Sequence, residues 1–322
     1  MKKIIVSMLT AIILFLLAPA TAFSASTELD YQGVSYKLLY NGTYSVSGCD
    51  ENITHLKIAD QINGIPVTEI SNRACTKKNN LKTVEIPNSI TYIGSNPFSN
   101  CQSLKSITVS SSNSNYHSKN DCLIETETNK LISGCQNSKV PEYVTIISHD
   151  AFYGCTELKS IKIPASVTHI YAGAFYNCTN LKNVEFADSG LVWIGGSAFE
   201  KCDSLKKVYI PSSVRTIEEE AFQYCKSLTK VEIPASVRDI GKYAFDSCNN
   251  LTDVYCEQEE TRDNYWHKYW LGRNDATVHW NSKMSSRFSF NIIYIVVAGL
   301  VILAITIITV VSKNKSKKIH VN

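Results

Sequence analysis

The sequence is poor in anything that catalysis could use. No phosphate-binding loop, nucleophile elbow or zinc-binding helix occurs in its 322 residues, which removes the commonest motif-level routes to an enzyme. Strong charge of one sign is missing too. Lys+Arg number 32 against 29 Asp+Glu, a net +3, far short of the basic excess that nucleic acid demands. Part of that small excess sits at the very end, in Lys313, Lys315, Lys317 and Lys318. His55, His117, His149, His169, His267, His279 and His320 are scattered. No sorting motif for covalent attachment to a cell wall is present.

Long apolar runs are confined to the two ends. Residues 1–22 read as a secretory signal: Lys2 and Lys3, then the apolar stretch Ile4 to Leu17, then Ala20-Thr21-Ala22 as a small-x-small cleavage site. Ile292 to Val311 is a twenty-residue uncharged run, the length needed for about 30 Å of hydrocarbon. Lysines follow it at once, which places residues 312–322 in the cytoplasm as a basic tail and exports the rest. A lipid-anchor signal would instead stop in its apolar tail. The expected arrangement is a single-pass plasma-membrane protein with an ectodomain of about 270 residues, enough for one sizeable domain.

Between the ends, phenylalanine and cysteine recur together. The pairs are Phe98/Cys101, Phe152/Cys155, Phe175/Cys178, Phe199/Cys202, Phe222/Cys225 and Phe245/Cys248. From Phe152 the steps are 23, 24, 23 and 23 residues, and a leucine follows each cysteine three positions on. A period of that size marks a repeat solenoid, in which each unit buries its apolar side only against its neighbours. The unit from Leu158 shows the logic. Ile161 and Ile163 alternate with polar residues as a short strand does, and Pro164 ends the strand because it has no amide for a ladder. Val167 and Ile170 start a second apolar segment; Ala174, Phe175 and Cys178 complete the interior. One unit carries an extra residue between Phe186 and Leu191, which a loop tolerates.

These residues resemble the leucine-rich repeats of the BspA type, known also from treponemal surface proteins. The pattern L-x-x-I-x-I-P, S-V-x-x-I-G, A-F-x-x-C fits at Leu81 to Cys101, Leu158 to Cys178, Leu181 to Cys202, Leu205 to Cys225 and Leu228 to Cys248. With degraded units the resemblance runs from about Leu29 to Trp280. It implies a curved leucine-rich repeat solenoid: a parallel β-sheet on one face, short turns or helical segments on the other. It further implies a typically bacterial cell-surface or secreted protein, with relatives in some protozoan parasites; some such proteins bind host matrix or plasma proteins, or other microbes. The residues themselves suggest no cofactor, metal or catalytic group.

The irregular stretches suggest the domain plan. Residues 23–52 form an N-terminal cap, a hairpin around Asn41-Gly42. Repeats occupy 53–256, with Cys75 at a phenylalanine position and an inserted hairpin near 110–140. Residues 257–280 form a C-terminal cap in which Trp266, Trp270 and Trp280 cover the last open core face. A stalk, 281–291, leads to the membrane segment at 292–311.

Eleven cysteines in an exported chain suggest disulfides, but the ladder argues against them at Cys101, Cys155, Cys178, Cys202, Cys225 and Cys248. In-register equivalents sit about 4.8 Å apart and point the same way, whereas a disulfide needs converging side chains. They are expected to be buried free thiols acting as small hydrophobes. One cysteine per unit is likewise no zinc site. Cys122 and Cys135, which flank the hairpin, are the best disulfide candidates.

The strand face supplies the candidate binding strip: Lys82, Lys105, Lys159, Lys162, Lys182, Lys206, Lys207, Tyr209, Lys230 and Tyr255. Aligned repeats would turn these into stripes, one largely basic, suited to an acidic protein or anionic glycan. The same lysines also serve to keep an exposed sheet soluble. Glu218-Glu219-Glu220 could in principle do acid–base work but reads more simply as a solvated segment. Trp266 and Trp270 either stack on sugar or cap the core.

The expected function is a non-enzymatic, membrane-anchored binding or adhesion protein for a protein or glycan ligand. The alternative is an envelope scaffold or receptor for a neighbouring membrane or wall component. A hydrolase using the Trp-rich region is a remote third. Reach bears on the choice. An eleven-residue stalk spans at most about 40 Å, and about nine layers at about 4.8 Å add about 45 Å, so the head stays within about 100 Å of the bilayer.

Overall fold

The structure, a computed structural model, describes residues 28–187, 190–259 and 265–283. The chain begins as an antiparallel meander of β1 (Glu28–Tyr31), β2 (Val34–Leu38) and β3 (Tyr44–Cys49). Asn41 and Gly42 turn the chain between β2 and β3, with Gly42 at φ 80°. β4 (His55–Lys57), β5 (Gln61–Ile62) and β6 (Ile65–Ile70) make the first coil, and β6 runs parallel beside β3. β7 (Thr83–Ile86) and β8 (Tyr92–Ile93) make the second, and β9 (Ser106–Val109) opens the third. Three antiparallel strands then intervene: β10 (Tyr116–Lys119), β11 (Cys122–Glu125) and β12 (Lys130–Ser133). β13 (Ile146–Ile147) belongs to a shortened coil. Regular coils follow as long and short strands in alternation. These are β14 (Ser160–Ile163) with β15 (His169–Ile170), β16 (Asn183–Phe186) with β17 (Trp193–Ile194), and β18 (Lys207–Tyr209) with β19 (Thr216–Ile217). β20 (Lys230–Ile233) with β21 (Asp239–Ile240), β22 (Asp253–Cys256) with β23 (Tyr265–Trp266), and a final β24 (Thr277–Trp280) complete about ten turns.

The hairpin and the short strands from β13 onward share one nine-stranded sheet, β10-β11-β12-β13-β15-β17-β19-β21-β23, while β5 and β8 join the N-terminal sheet through β6. The long strands lie on another side in three separate parallel panels: β4-β7-β9, β14-β16 and β18-β20-β22-β24. A third side is made of turns held coil to coil by backbone bonds such as Phe175 N–H to Ala198 O at 2.7 Å and Phe199 N–H to Ala221 O at 2.7 Å. Helical segments were expected there, and among the described residues there are none. The reason is local. Two left-handed residues bracket each such turn, for example Ser197 and Lys201, or Glu220 and Tyr224, at φ 52–60°. Three residues between such points cannot sustain right-handed helix. The expected membrane segment at 292–311 and the expected signal at 1–22 lie outside the described residues.

The interior is a set of rows. Phe152, Phe175, Phe199, Phe222 and Phe245 stack nearly parallel with centroids 4.9, 5.0, 5.1 and 5.2 Å apart. Trp270 ends the row edge-on to Phe245 at 5.9 Å, and Trp266 and Trp280 pack beside it. The six ladder cysteines are buried and free, and they do more than fill space. Cys178, Cys202, Cys225 and Cys248 each donate Sγ–H to the phenylalanine carbonyl of the preceding coil, at 3.2–3.3 Å. A small apolar group that also serves a buried carbonyl explains cysteine there better than size alone.

The hairpin divides this interior. Cys122, Ile124 and Leu131 belong to the core of the C-terminal coils, Leu123 and Cys135 to that of the N-terminal coils. β11 is therefore buried on both faces, which suits its unbroken apolar run Cys122-Leu123-Ile124. It also corrects the expected Cys122–Cys135 disulfide. The two side chains enter different cores, and both thiols are free. The bonded pair is Cys49–Cys75, with Cα atoms 5.6 Å apart, tying the end of β3 to the first coil.

Candidate functional site

The strand β14 shows the pattern: it buries Ile161 and Ile163 and turns Lys162 between them outward. The residue before the strand continues the ladder. Lys105 N–H donates to Lys82 O at 2.9 Å, Lys182 N–H to Lys159 O at 2.9 Å, and Thr229 N–H to Lys206 O at 3.1 Å. Lys82, Lys105, Lys159, Lys162, Lys182, Lys206, Lys207 and Tyr209 are exposed; Lys230 and Tyr255 are half-buried. The structure brings them together panel by panel and not as one stripe: Lys82 with Lys105, then Lys159, Lys162 and Lys182, then Lys206, Lys207, Tyr209, Lys230 and Tyr255.

Ion pairing divides them further. Lys162 Nζ meets Glu142 at 3.3 Å, and Lys230 Nζ meets Asp253 at 3.5 Å. Lys82, Lys105, Lys159, Lys182, Lys206 and Lys207 make no ion pair among the described residues. In the last panel Tyr255 stacks on His279 at 4.7 Å, and His279 Nε2 lies 2.8 Å from Asp253. That hydrogen bond, with one from Thr252, holds the Asp253 carboxyl below the ordinary carboxylate range. Glu232 departs from expectation: its strand position is exposed in most coils, yet it is 1% exposed. Tyr209 and Tyr255 flank it in register, and side chains of that size on both sides shut out water.

A groove of about 760 Å³ opens at the first break in the long-strand side, beside β14. Lys139, Glu142, Glu157, Lys159 and Lys162 line it with Asn137. Sequence reasoning took the whole stretch as an inserted hairpin and missed it. The signal was a spacing: Cys135 to Pro141 is six residues where Cys155 to Pro164 is nine.

Comparison with known proteins fits this geometry. The profile of the BspA type leucine rich repeat region matches in six copies, over residues 68–132 and 123–252. The chain belongs to the BspA-type leucine-rich repeat family. Solved structures agree on the fold. A leucine rich cell surface protein from Faecalibacterium prausnitzii is 20% identical with a TM-score of 0.51, covering 74% of this chain and 97% of its own. A leucine-rich repeat protein from Eubacterium ventriosum is 17% identical with a TM-score of 0.52, covering 80% and 96%. None of the curated proteins matches the chain.

In this BspA-type solenoid the remaining chemical candidates have structural work. His149 stacks on Tyr171 at 4.8 Å. Glu218 accepts from Gly196 N–H at 2.8 Å, and Glu220 from the Ser197 hydroxyl at 3.3 Å, so both tie one coil to the one before. Trp270 is buried on Phe245 and is no platform for sugar. Burial pushes the thiols up: Cys101 to about 11, Cys122 and Cys256 to about 12, and Cys155, Cys202 and Cys225 well above the ordinary 9.0. Raised folded values mean that their stabilisation is complete below pH 9 and is lost as pH climbs towards 11–12. Iodoacetamide at pH 8 should label none of these six thiols in the native chain and all of them in denaturant. Labelling of the native ladder, read by mass spectrometry, would show that it is open to water.

Proposed function

We propose that this chain is a non-enzymatic binding protein of the bacterial cell surface, held in the plasma membrane by residues 292–311. Its long-strand face takes up a protein or glycan ligand. The observation that carries this reading is the set of six exposed lysines that make no ion pair among the described residues, with Lys82 and Lys105, and Lys159 and Lys182, held coil to coil by backbone bonds. The F. prausnitzii protein, described as a cell surface protein, supports the location.

The test is charge reversal on the full chain. Lys159→Glu, Lys182→Glu and Lys206→Glu together should weaken binding to arrayed glycans or envelope and plasma proteins by at least about tenfold, since each contact is worth on the order of 0.5–1 kcal/mol. The thermal midpoint should hardly move, because all three are exposed. Unchanged binding retires the face. The short reach favours a second reading, an envelope scaffold meeting a wall or membrane component. Protease added to intact cells separates the two: an ectodomain cut only after wall removal is a scaffold inside the envelope.

A further inference from the structure

The groove beside β14 is the place of a missing strand. In intact coils nine residues separate the cysteine from the end of the long strand, as from Cys155 to Pro164, Cys202 to Pro211 and Cys225 to Pro234. The coil between β9 and β14 has six, Cys135 to Pro141, and no long strand forms there. Its residues stay close to the preceding coil, with Gln136 N–H on Leu104 O at 3.3 Å and Asn137 Nδ2 on Lys105 O at 3.3 Å. β14 is thus paired with β16 on one side only. Its other edge forms a wall of the groove through Ser160, Ile161 and Lys162.

The backbone records the vacancy. In neighbouring coils the amide before the strand donates backwards, from Lys105 to Lys82, from Lys182 to Lys159, from Thr252 to Thr229. The Lys159 amide has no such acceptor among the described residues. Lys206, at the second break, also lacks one among the described residues; the groove of about 760 Å³ lies at the first. An open strand edge is a template for pairing, and proteins normally cover it or use it. The charge around this edge is mixed but leans positive, three lysines against Glu142 and Glu157. Lys139 and Lys159 carry no ion pair among the described residues, and Lys162 is engaged by Glu142.

We propose that the groove beside β14 binds an extended peptide bearing a carboxylate, which adds as a strand to the free edge of β14 and meets Lys139 and Lys159. A glycan can satisfy the lysines, but an extended peptide alone offers N–H and C=O groups alternating at strand spacing. This narrows the function proposed above and rests on it, in that it names the ligand class and places it at the gap.

The probe is a phage-displayed library of random heptapeptides selected on the full chain. Recovered peptides should slow amide exchange in residues 157–163 at least tenfold. They should lose at least tenfold in affinity when N-methylated at alternate residues, a change that leaves every side chain intact. A variant with three residues inserted after Gln136, restoring the full strand length, should bind them at least tenfold less. The inference is overturned if no peptide is recovered, if protection falls elsewhere, if N-methylation is tolerated, or if heparin oligosaccharides protect residues 157–163 while no peptide does. Lys182→Glu with Lys206→Glu lies outside the gap. If that pair weakens ligand binding while the peptides fail, the binding face stands and the strand slot falls; if only the peptides bind, the wider face falls and the slot stands.

Discussion

Phe175→Ala should lower stability by about 3–5 kcal/mol, the range for removing a fully buried aromatic ring. Phe175 is wholly buried, with Phe152 at 4.9 Å on one side and Phe199 at 5.0 Å on the other. The void cannot close easily. Phe152 N–H to Ala174 O and Phe175 N–H to Ala198 O, both 2.7 Å, hold the coils on either side at fixed spacing. Two near-parallel ring contacts go as well, each worth about 0.5–1.5 kcal/mol beyond area. Urea unfolding followed by far-UV circular dichroism reads the change as a lower midpoint. The slope should fall too if the coils on either side of the lesion then melt apart, since each coil leans only on its neighbours. A loss below about 1 kcal/mol would mean that the phenylalanine row is not the backbone of the core.

Removing the Cys49–Cys75 bond should cost about 3–4 kcal/mol, by the loop-closure estimate for its 26-residue separation. Both cysteines are buried in the N-terminal core cluster. The bond fastens the meander β1-β2-β3, which otherwise joins the stack through β6. The other nine cysteines are free, so a reductant acts on this one bond. A thermal scan with and without dithiothreitol should show the N-terminal cap melting earlier, with loss of amide protection confined to residues 28–70. Cys49→Ser with Cys75→Ser should reproduce it. An unchanged scan would show that the two thiols are not bonded in the folded chain.

The solenoid was legible because a repeat states its period many times over. Five phenylalanine–cysteine pairs, from Phe152 to Phe245, agree on it, and no tertiary contact can override a pattern that is itself the tertiary contact. The row of buried free thiols followed from the same register. What could not be read were features set by relations between coils. The left-handed residues that forbid helix on the third side include Lys201, Glu220 and Tyr224, types that carry no signal for that conformation. The Cys49–Cys75 bond joins a cap to a degraded coil: Cys75 could be placed at a phenylalanine position, but no register reached Cys49 in the cap. Glu232 is buried by Tyr209 and Tyr255, residues one coil away on each side. The strand gap was present in the sequence as a three-residue shortfall before Pro141, hidden behind the larger irregularity of the hairpin. As for the lysines, their exposure was plain, but their division into three panels came from that gap and from the longer unit after Phe186.

The parallel phenylalanine row carries a consequence for how such a chain can change in length. Every interior rung offers the same aromatic face above and below, so a whole coil copied between Phe175 and Phe199 meets surfaces identical to those it came from. Such a duplication would push the distal end outward by about 4.8 Å and leave the slot beside β14 where it is. Single-residue insertions within a rung have no such freedom. Gene duplication can therefore tune how far the slot lies from the C-terminal end of the coil stack, in fixed increments, without redesigning the slot.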